Sequence, residues 1–310
     1  MIAKMKLKRS HAYALMLLNT MIWGAALVVV KPSLAIATPF RFLLYRYLLA
    51  SLVTLPILWR YRTYVQKHAT SLLTKVGLLE LLGTTAALAL LYLGLNQTSA
   101  IEAGLLTMTQ PLLITVAGVW LLKEKETRTE LAGLLIALAG TALLVLLPLL
   151  VENHQLDSVS LGGNLLVLGG VVMYMFYFPL ARKYYKKFPK LLVASLSFWV
   201  GLVSFLGLSM AELQFSVPAL VRAVQADLQH AAVWWAAGYM AILGSVLALT
   251  AYIRAQDAIE SSEASLFTYL QPLVYIPLGI LLLGESIVPL QLGALLLIGV
   301  GVFVAEKRWR

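Results

Sequence analysis

The stretch Glu102-Ala-Gly-Leu-Leu-Thr-Met-Thr-Gln-Pro-Leu112 is answered later in the chain by Glu263-Ala-Ser-Leu-Phe-Thr-Tyr-Leu-Gln-Pro-Leu273. Glu102, Ala103, Leu105, Thr107, Gln110, Pro111 and Leu112 each find the same residue 161 positions on. The register continues through Gly118/Gly279, Leu121/Leu282, Leu122/Leu283 and Glu124/Glu285, and reaches back to Gly83/Gly244, Ala87/Ala248 and Leu88/Leu249. Apolar matches arise easily in an apolar chain, whereas a shared Glu, Thr and Gln-Pro do not. The chain is therefore read as an internal duplication, and so long a period means two half-proteins rather than a solenoid of short repeats.

Composition sets the class. Of 310 residues, 61% are hydrophobic and 12% charged. Soluble domains carry about 45–50% apolar and about 25% charged residues, so this is the composition of a membrane protein. There is no cysteine, which removes disulfides, thiolate metal sites and a cysteine nucleophile. His11, His68, His154 and His230 lie between apolar runs or at their ends, so no histidine relay is expected inside the membrane.

A spanning helix needs about 20 mainly apolar residues. Ten such runs occur: 12–30, 38–59, 76–95, 100–122, 131–151, 161–180, 191–210, 233–253, 264–283 and 289–305. The first is longer than the roughly 7–15 apolar residues of a signal peptide, and is expected to stay in the mature protein. With the N-terminus inside, 20 of the 24 basic residues fall on inner segments, leaving Lys31, Arg41, Arg46 and Arg222. The positive-inside rule then places both termini in the cytoplasm. The net charge of +10 reads as an orientation signal facing anionic lipid, not as a nucleic-acid surface.

The fold expected is an all-α membrane protein of ten transmembrane helices in two inverted five-helix repeats, residues 1–155 and 156–310. Five spans per half is an odd number, so the second half enters the membrane upside down. Inverted repeats are a recurring architecture of secondary transporters, whose halves rock between two related states.

Trp23-Gly24 with Lys31, Pro39 with Arg46, the two Gln-Pro pairs, Glu124, and Gly284-Glu285 together resemble the drug/metabolite transporter superfamily, in its ten-helix EamA-type branch. The resemblance covers essentially the whole chain. One departure is Lys123-Glu124, where the first half of the family usually carries Gly-Glu. The resemblance implies a secondary transporter, often an exporter of amino acids, metabolites or drugs, with a cavity lined by spans one, three, four, six, eight and nine. It implies no particular substrate.

Glu80 is the most informative single residue. Its mate in the duplication is Ala241, so symmetry does not require it. A charged carboxyl facing lipid costs several kcal/mol, so it should line a cavity or stay protonated. It is the candidate for proton or cation coupling; the alternative is an interfacial Glu paired with Lys75. Thr107 with Gln110, and Thr268 with Gln271, are spaced i, i+3 and should share a face. Pro111, Pro272 and Pro277 should kink their helices and open backbone groups toward a cavity. Asn19 and Trp23, spaced i, i+4, form a further candidate face, with position mates near Val171 and Tyr174. Tyr92, Tyr174, Tyr177, Tyr269 and Tyr275 complete the candidate cavity, as rings that could stack on a solute or hold a cation. Arg46 is read as structural, pairing with a carboxylate or snorkelling outward.

Gly133, Ala137 and Gly140, with Gly293, Leu297 and Gly301, read as close helix contacts, within the chain or between protomers. Asp257, Glu260 and Glu263 with Arg254 read as a solvated helix junction rather than a metal site. No P-loop, dinucleotide fingerprint, metal-ligand set or nucleophile elbow is present, so neither enzyme nor cofactor is called for. The expected function is transport of a small metabolite, an amino acid or related solute, in the direction of export across a prokaryotic inner membrane. Transport of organic cations through Glu80 is the alternative, with a membrane-embedded enzyme or lipid scramblase more distant.

Overall fold

The structure, a computed structural model, describes residues 9–122, 128–150, 160–255, 258–259 and 267–306. All regular secondary structure among these residues is helical. The order is α1 (Arg9–Leu34), α2 (Pro39–Arg60), α3 (Arg62–Gln97), α4 (Ala100–Thr107), α5 (Gln110–Leu122) and α6 (Arg128–Leu150). There follow α7 (Leu161–Tyr185), α8 (Lys190–Glu212), α9 (Val217–Leu228), α10 (231–255), a 3-10 turn (Phe267–Leu270), α11 (Pro272–Leu283) and α12 (Pro289–Glu306). Seven helices are long and apolar enough to span a membrane, and three apolar stretches are shorter: Ala100–Ile114, Phe267–Leu283 and Pro289–Val304.

Three features depart from the sequence expectation. First, the helix containing the third apolar run extends back to Arg62, giving 36 residues. At about 1.5 Å per residue it is far longer than the roughly 30 Å hydrocarbon layer. Its polar first part therefore bends away at His68, where φ is −119° and ψ is 19°. Second, α9 is an amphipathic helix that no 20-residue apolar window could detect. Third, spans four and nine are broken rather than kinked. α4 stops at Thr107 and α5 restarts at Gln110, while the 3-10 turn stops at Leu270 and α11 restarts at Pro272. Proline has no N–H to give the preceding turn but suits the first turn of a new helix. The Gln-Pro pairs thus act as restart points. Pro277 lies inside α11.

The duplication shows in the interior of the helices. α3 contains a π-helical segment at Leu81–Ala87, and α10 contains one at Tyr239–Leu247. The matched pair Gly83/Gly244 falls inside both. Such π segments are frequent at functional sites. Packing is also exchanged between halves. α1 packs along α10, and α7 packs along α3. α2 pairs with α8, and α6 pairs with α12. Backbone contact in the last pair is set by glycine: a Cβ on Gly301 would lie 2.5 Å from the Ala137 nitrogen, and one on Gly140 would lie 2.9 Å from the Ala294 oxygen. The small-residue stripes therefore serve contact within one chain, although Gly293 itself meets nothing within 4 Å.

Candidate functional site

Arg46 sits about 10 Å along α2 from Pro39, counting seven residues of helical rise. Its Nη1 donates to the Tyr92 hydroxyl at 3.1 Å, and its Nη2 donates to the Ser245 Oγ at 3.3 Å. The Nε is buried and has no hydrogen-bond partner. The guanidinium carbon lies 5.3 Å from the Tyr47 ring centre. Tyr92 is held in place by stacking on Phe42 at 5.7 Å, and Tyr47 by stacking on Phe205 at 5.6 Å. Arg46 thus does not snorkel outward and meets no carboxylate among the described residues; it meets the Tyr92 and Ser245 hydroxyls and the face of Tyr47.

Glu80 is fully buried, one residue before the π segment of α3. Its Oε1 accepts from the Tyr177 hydroxyl at 2.9 Å and the Tyr185 hydroxyl at 2.7 Å, and its Oε2 accepts from Thr84. Lys75 is exposed and is not among these partners. The close approach of α7 needs Gly83, because a Cβ there would lie 2.3 Å from the Tyr177 ring. Tyr174 meets the Tyr177 ring edge-on at 6.3 Å. Tyr47 and Thr84 both close on Gly201, whose Cβ would lie 2.8 Å from the Tyr47 ring and 3.0 Å from Thr84 Cγ2, so the ring beside Arg46 adjoins the hydroxyl on Glu80.

Asn19 and Trp23 do share a face, and that face is turned to α10. Asn19 Nδ2 donates to the Ala248 carbonyl at 2.9 Å, and Trp23 Nε1 donates to the Gly244 carbonyl at 2.9 Å. Tyr239 returns the bond from α10, its hydroxyl donating to the Ile22 carbonyl at 2.7 Å. Trp23 therefore reaches Gly244 as Tyr177 reaches Gly83: each half's leading helix grips the matched glycine of the other half's π segment.

The Gln-Pro faces are arranged otherwise. The Thr107 hydroxyl donates back to the Gly104 carbonyl at 2.7 Å, and the break at Met108 and Thr109 separates it from half-buried Gln110. Helical spacing therefore no longer relates the two. Thr268 and Tyr269 lie in the 3-10 turn, with Tyr269 packed against the main core. The Gln271 carbonyl accepts from Val274 and Tyr275 at 2.8 and 3.0 Å. α11 crosses α4 where the Tyr275 ring covers Gly104, whose Cβ would lie 2.9 Å away, and the Tyr275 hydroxyl is buried without a partner.

Several resemblance residues are helix caps. Lys31 Nζ donates to the carbonyls of Leu95 and Thr98, each at 2.6 Å, closing the C-terminal end of α3. Glu285 accepts from the Ala100 and Ile101 amides at 2.6 and 2.8 Å, closing the N-terminal end of α4. A cation at a C-terminus and an anion at an N-terminus each complement the helix dipole. Glu124, and the Asp257, Glu260 and Glu263 group, lie outside the described residues.

Sequence reading missed three features. Glu102 is fully buried and accepts from Asn164 Nδ2 at 3.1 Å and Gln291 Nε2 at 2.6 Å, tying α4 to α7 and α12. Arg41 Nε pairs with Asp227 at 2.7 Å, and the Tyr45 hydroxyl donates to the same carboxylate at 2.7 Å, fixing α9 to α2. Tyr47, Tyr185 and Ser245 complete the surroundings of Arg46 and Glu80. Glu102 carried a signal as the 161-residue mate of Glu263, and Ser245 as the mate of Thr84.

The comparisons with known proteins agree with this architecture. Two transporters of Bacillus subtilis (strain 168) are similar over nearly the whole chain. The uncharacterized transporter YyaM is 26% identical over 304 residues, covering 97% of this chain and 95% of the relative. The uncharacterized transporter YcxC is 25% identical over 311 residues, covering 96% and 93%. A crystal structure aligns with a TM-score of 0.60 at 17% identity, over 96% of this chain and 97% of that one, which shows a shared fold. The sequence model of the EamA-like transporter family matches twice, over residues 10–146 and 161–306. With both halves matched, the chain belongs to the EamA-like transporter family and is an integral membrane transporter.

Proposed function

We propose that the protein is a secondary transporter of a small zwitterionic metabolite, an amino acid or a related solute, working in the direction of export. Residues 1–155 and 156–310 form the two halves, inverted in the membrane with both termini cytoplasmic, and alternating access arises as one half moves against the other. One observation carries this reading. A buried acid and a buried base are held by hydroxyls at equivalent places of the two π segments, Thr84 on Glu80 and Ser245 on Arg46. Irregular backbone inside a membrane bundle is tolerated where it is buried in protein or lines a cavity. Broken helices in matched positions of two halves are how many secondary transporters build a site near the midplane. Glu80 supplies the coupling proton or cation site.

Liposomes containing the purified protein and loaded with one unlabelled amino acid should accumulate its labelled form by counterflow. Counterflow by none of the twenty amino acids, with robust counterflow of quaternary amines, would replace this reading with organic-cation transport. That second reading is favoured by one feature, the hydroxyls of Tyr177 and Tyr185 on Glu80 with Tyr174 edge-on to Tyr177.

A further inference from the structure

We infer that Arg46 is the anchor for a carboxylate group of the transported solute. Guanidinium presents five N–H donors in a planar fork suited to a carboxylate. Only two of its donor contacts are made, both to neutral hydroxyls, on Tyr92 and Ser245, and Nε is left buried and unpartnered. A buried charge is costly unless paired, and among the described residues no acid pairs with this one. Glu80, the buried acid of the same half, already receives three hydroxyls. Of the other three basic residues outside the inner segments, Lys31 bonds helix carbonyls, Arg41 pairs with Asp227, and Arg222 is exposed. Of these four, Arg46 is the one with a buried donor left without a partner.

Its surroundings fit a solute. Arg46 as a whole is half-buried, and Ser245, which its guanidinium touches, also lines a cleft between α2, α8 and α10. That cleft has a water-accessible volume of about 40 Å³, and its wall includes Thr54, Phe198, Leu249 and Thr250. It holds a few waters rather than a metabolite, so a solute must widen it, as motion of the two halves would. A single cation suits a monocarboxylate better than a phosphate dianion, and Glu80, beyond Tyr47 and Thr84, suits an ammonium group on the same solute. The inference rests on the transporter reading and adds the chemical group that Arg46 recognises.

The test uses the purified full chain in detergent, followed by thermal unfolding with the twenty amino acids. For each that stabilises, its amide, its methyl ester and its decarboxylated amine are compared. A ligand of the folded state raises apparent stability by mass action. We expect the free acid to bind on the order of a hundredfold more tightly than its amide or ester, the scale of losing one partner of a buried charge pair. Arg46→Gln should abolish this preference, and Arg46→Lys should keep part of it. Equal binding of acid and amide overturns the inference, as does an Arg46→Gln protein that still prefers the acid, or preferential stabilisation by inorganic phosphate. If Arg46→Gln does not fold, the acid-to-amide comparison on the unaltered protein decides alone. Stabilisation by no carboxylate, alongside counterflow of the decarboxylated amines, sinks the anchor and leaves the transporter standing; loss of both sinks the transporter reading as well.

Discussion

Thr84 and Ser245 stand 161 residues apart in matched registers, and their hydroxyls serve opposite charges. Thr84 bonds the Glu80 carboxylate, whereas Ser245 accepts from the Arg46 guanidinium and donates to the Met240 carbonyl at 2.8 Å. The duplication supplied the same kind of hydroxyl in the same kind of π segment. Divergence between the halves then set an acid beside one and a base beside the other, since Glu80 is matched by Ala241. A symmetric scaffold thus carries an asymmetric, dipolar interior.

Glu80→Gln should leave the fold intact, because an amide keeps one acceptor oxygen and nearly the same volume. Three hydroxyls now converge on Glu80, and one or two of those bonds would weaken, at about 1 kcal/mol each. Transport that depends on a proton gradient should fall at least tenfold, while counterflow without a gradient survives. Proteoliposome flux measured from pH 5 to 8 decides it: an unchanged pH profile removes Glu80 from coupling.

Lys31→Met and Glu285→Gln should each lower stability by about 1–2 kcal/mol, the range for a lost helix cap or a well-placed charge at a helix end. Both act on the turn between α3 and α4, from opposite sides of the break in the helix. Their combined loss should differ from the sum of the single losses, because neighbouring groups couple. Thermal unfolding in detergent reads all three proteins. Simple additivity would separate the two caps.

Gly301→Ala should destabilise by about 1–3 kcal/mol, as overpacking does, because its new methyl meets the Ala137 nitrogen and the Gly133 oxygen at 2.5 and 2.6 Å. Gly299→Ala, two residues earlier on α12 and open to 4 Å, should be neutral or stabilising. If the two variants unfold at the same temperature, the α6–α12 contact is not as close as described.

Because the chain has no cysteine, single introduced thiols report orientation cleanly. Gln229→Cys, on the exposed turn after α9, should react with a membrane-impermeant maleimide added to intact cells. Gln66→Cys, on the exposed polar part of α3, should react only after the cells are opened. The opposite pattern would invert the topology drawn from the basic residues.

Much of this protein is legible in one dimension because a bilayer imposes a one-dimensional rule. Some twenty apolar residues must cross it, basic residues stay inside, and a doubled Glu, Thr and Gln-Pro pattern betrays duplication. Those rules found the runs, the all-helical class and the family. What they could not find depends on neighbours distant in sequence. Spans four and nine break at Gln-Pro instead of bending. Asn19 and Trp23 spend their donors on carbonyls of α10. Arg46 keeps a free Nε, and Glu80 gathers hydroxyls from α7 about a hundred residues away. Period and composition report which face of a helix is apolar. Which polar group on the other helices completes or leaves open a hydrogen bond is decided only when those helices are packed, and that decision makes the site.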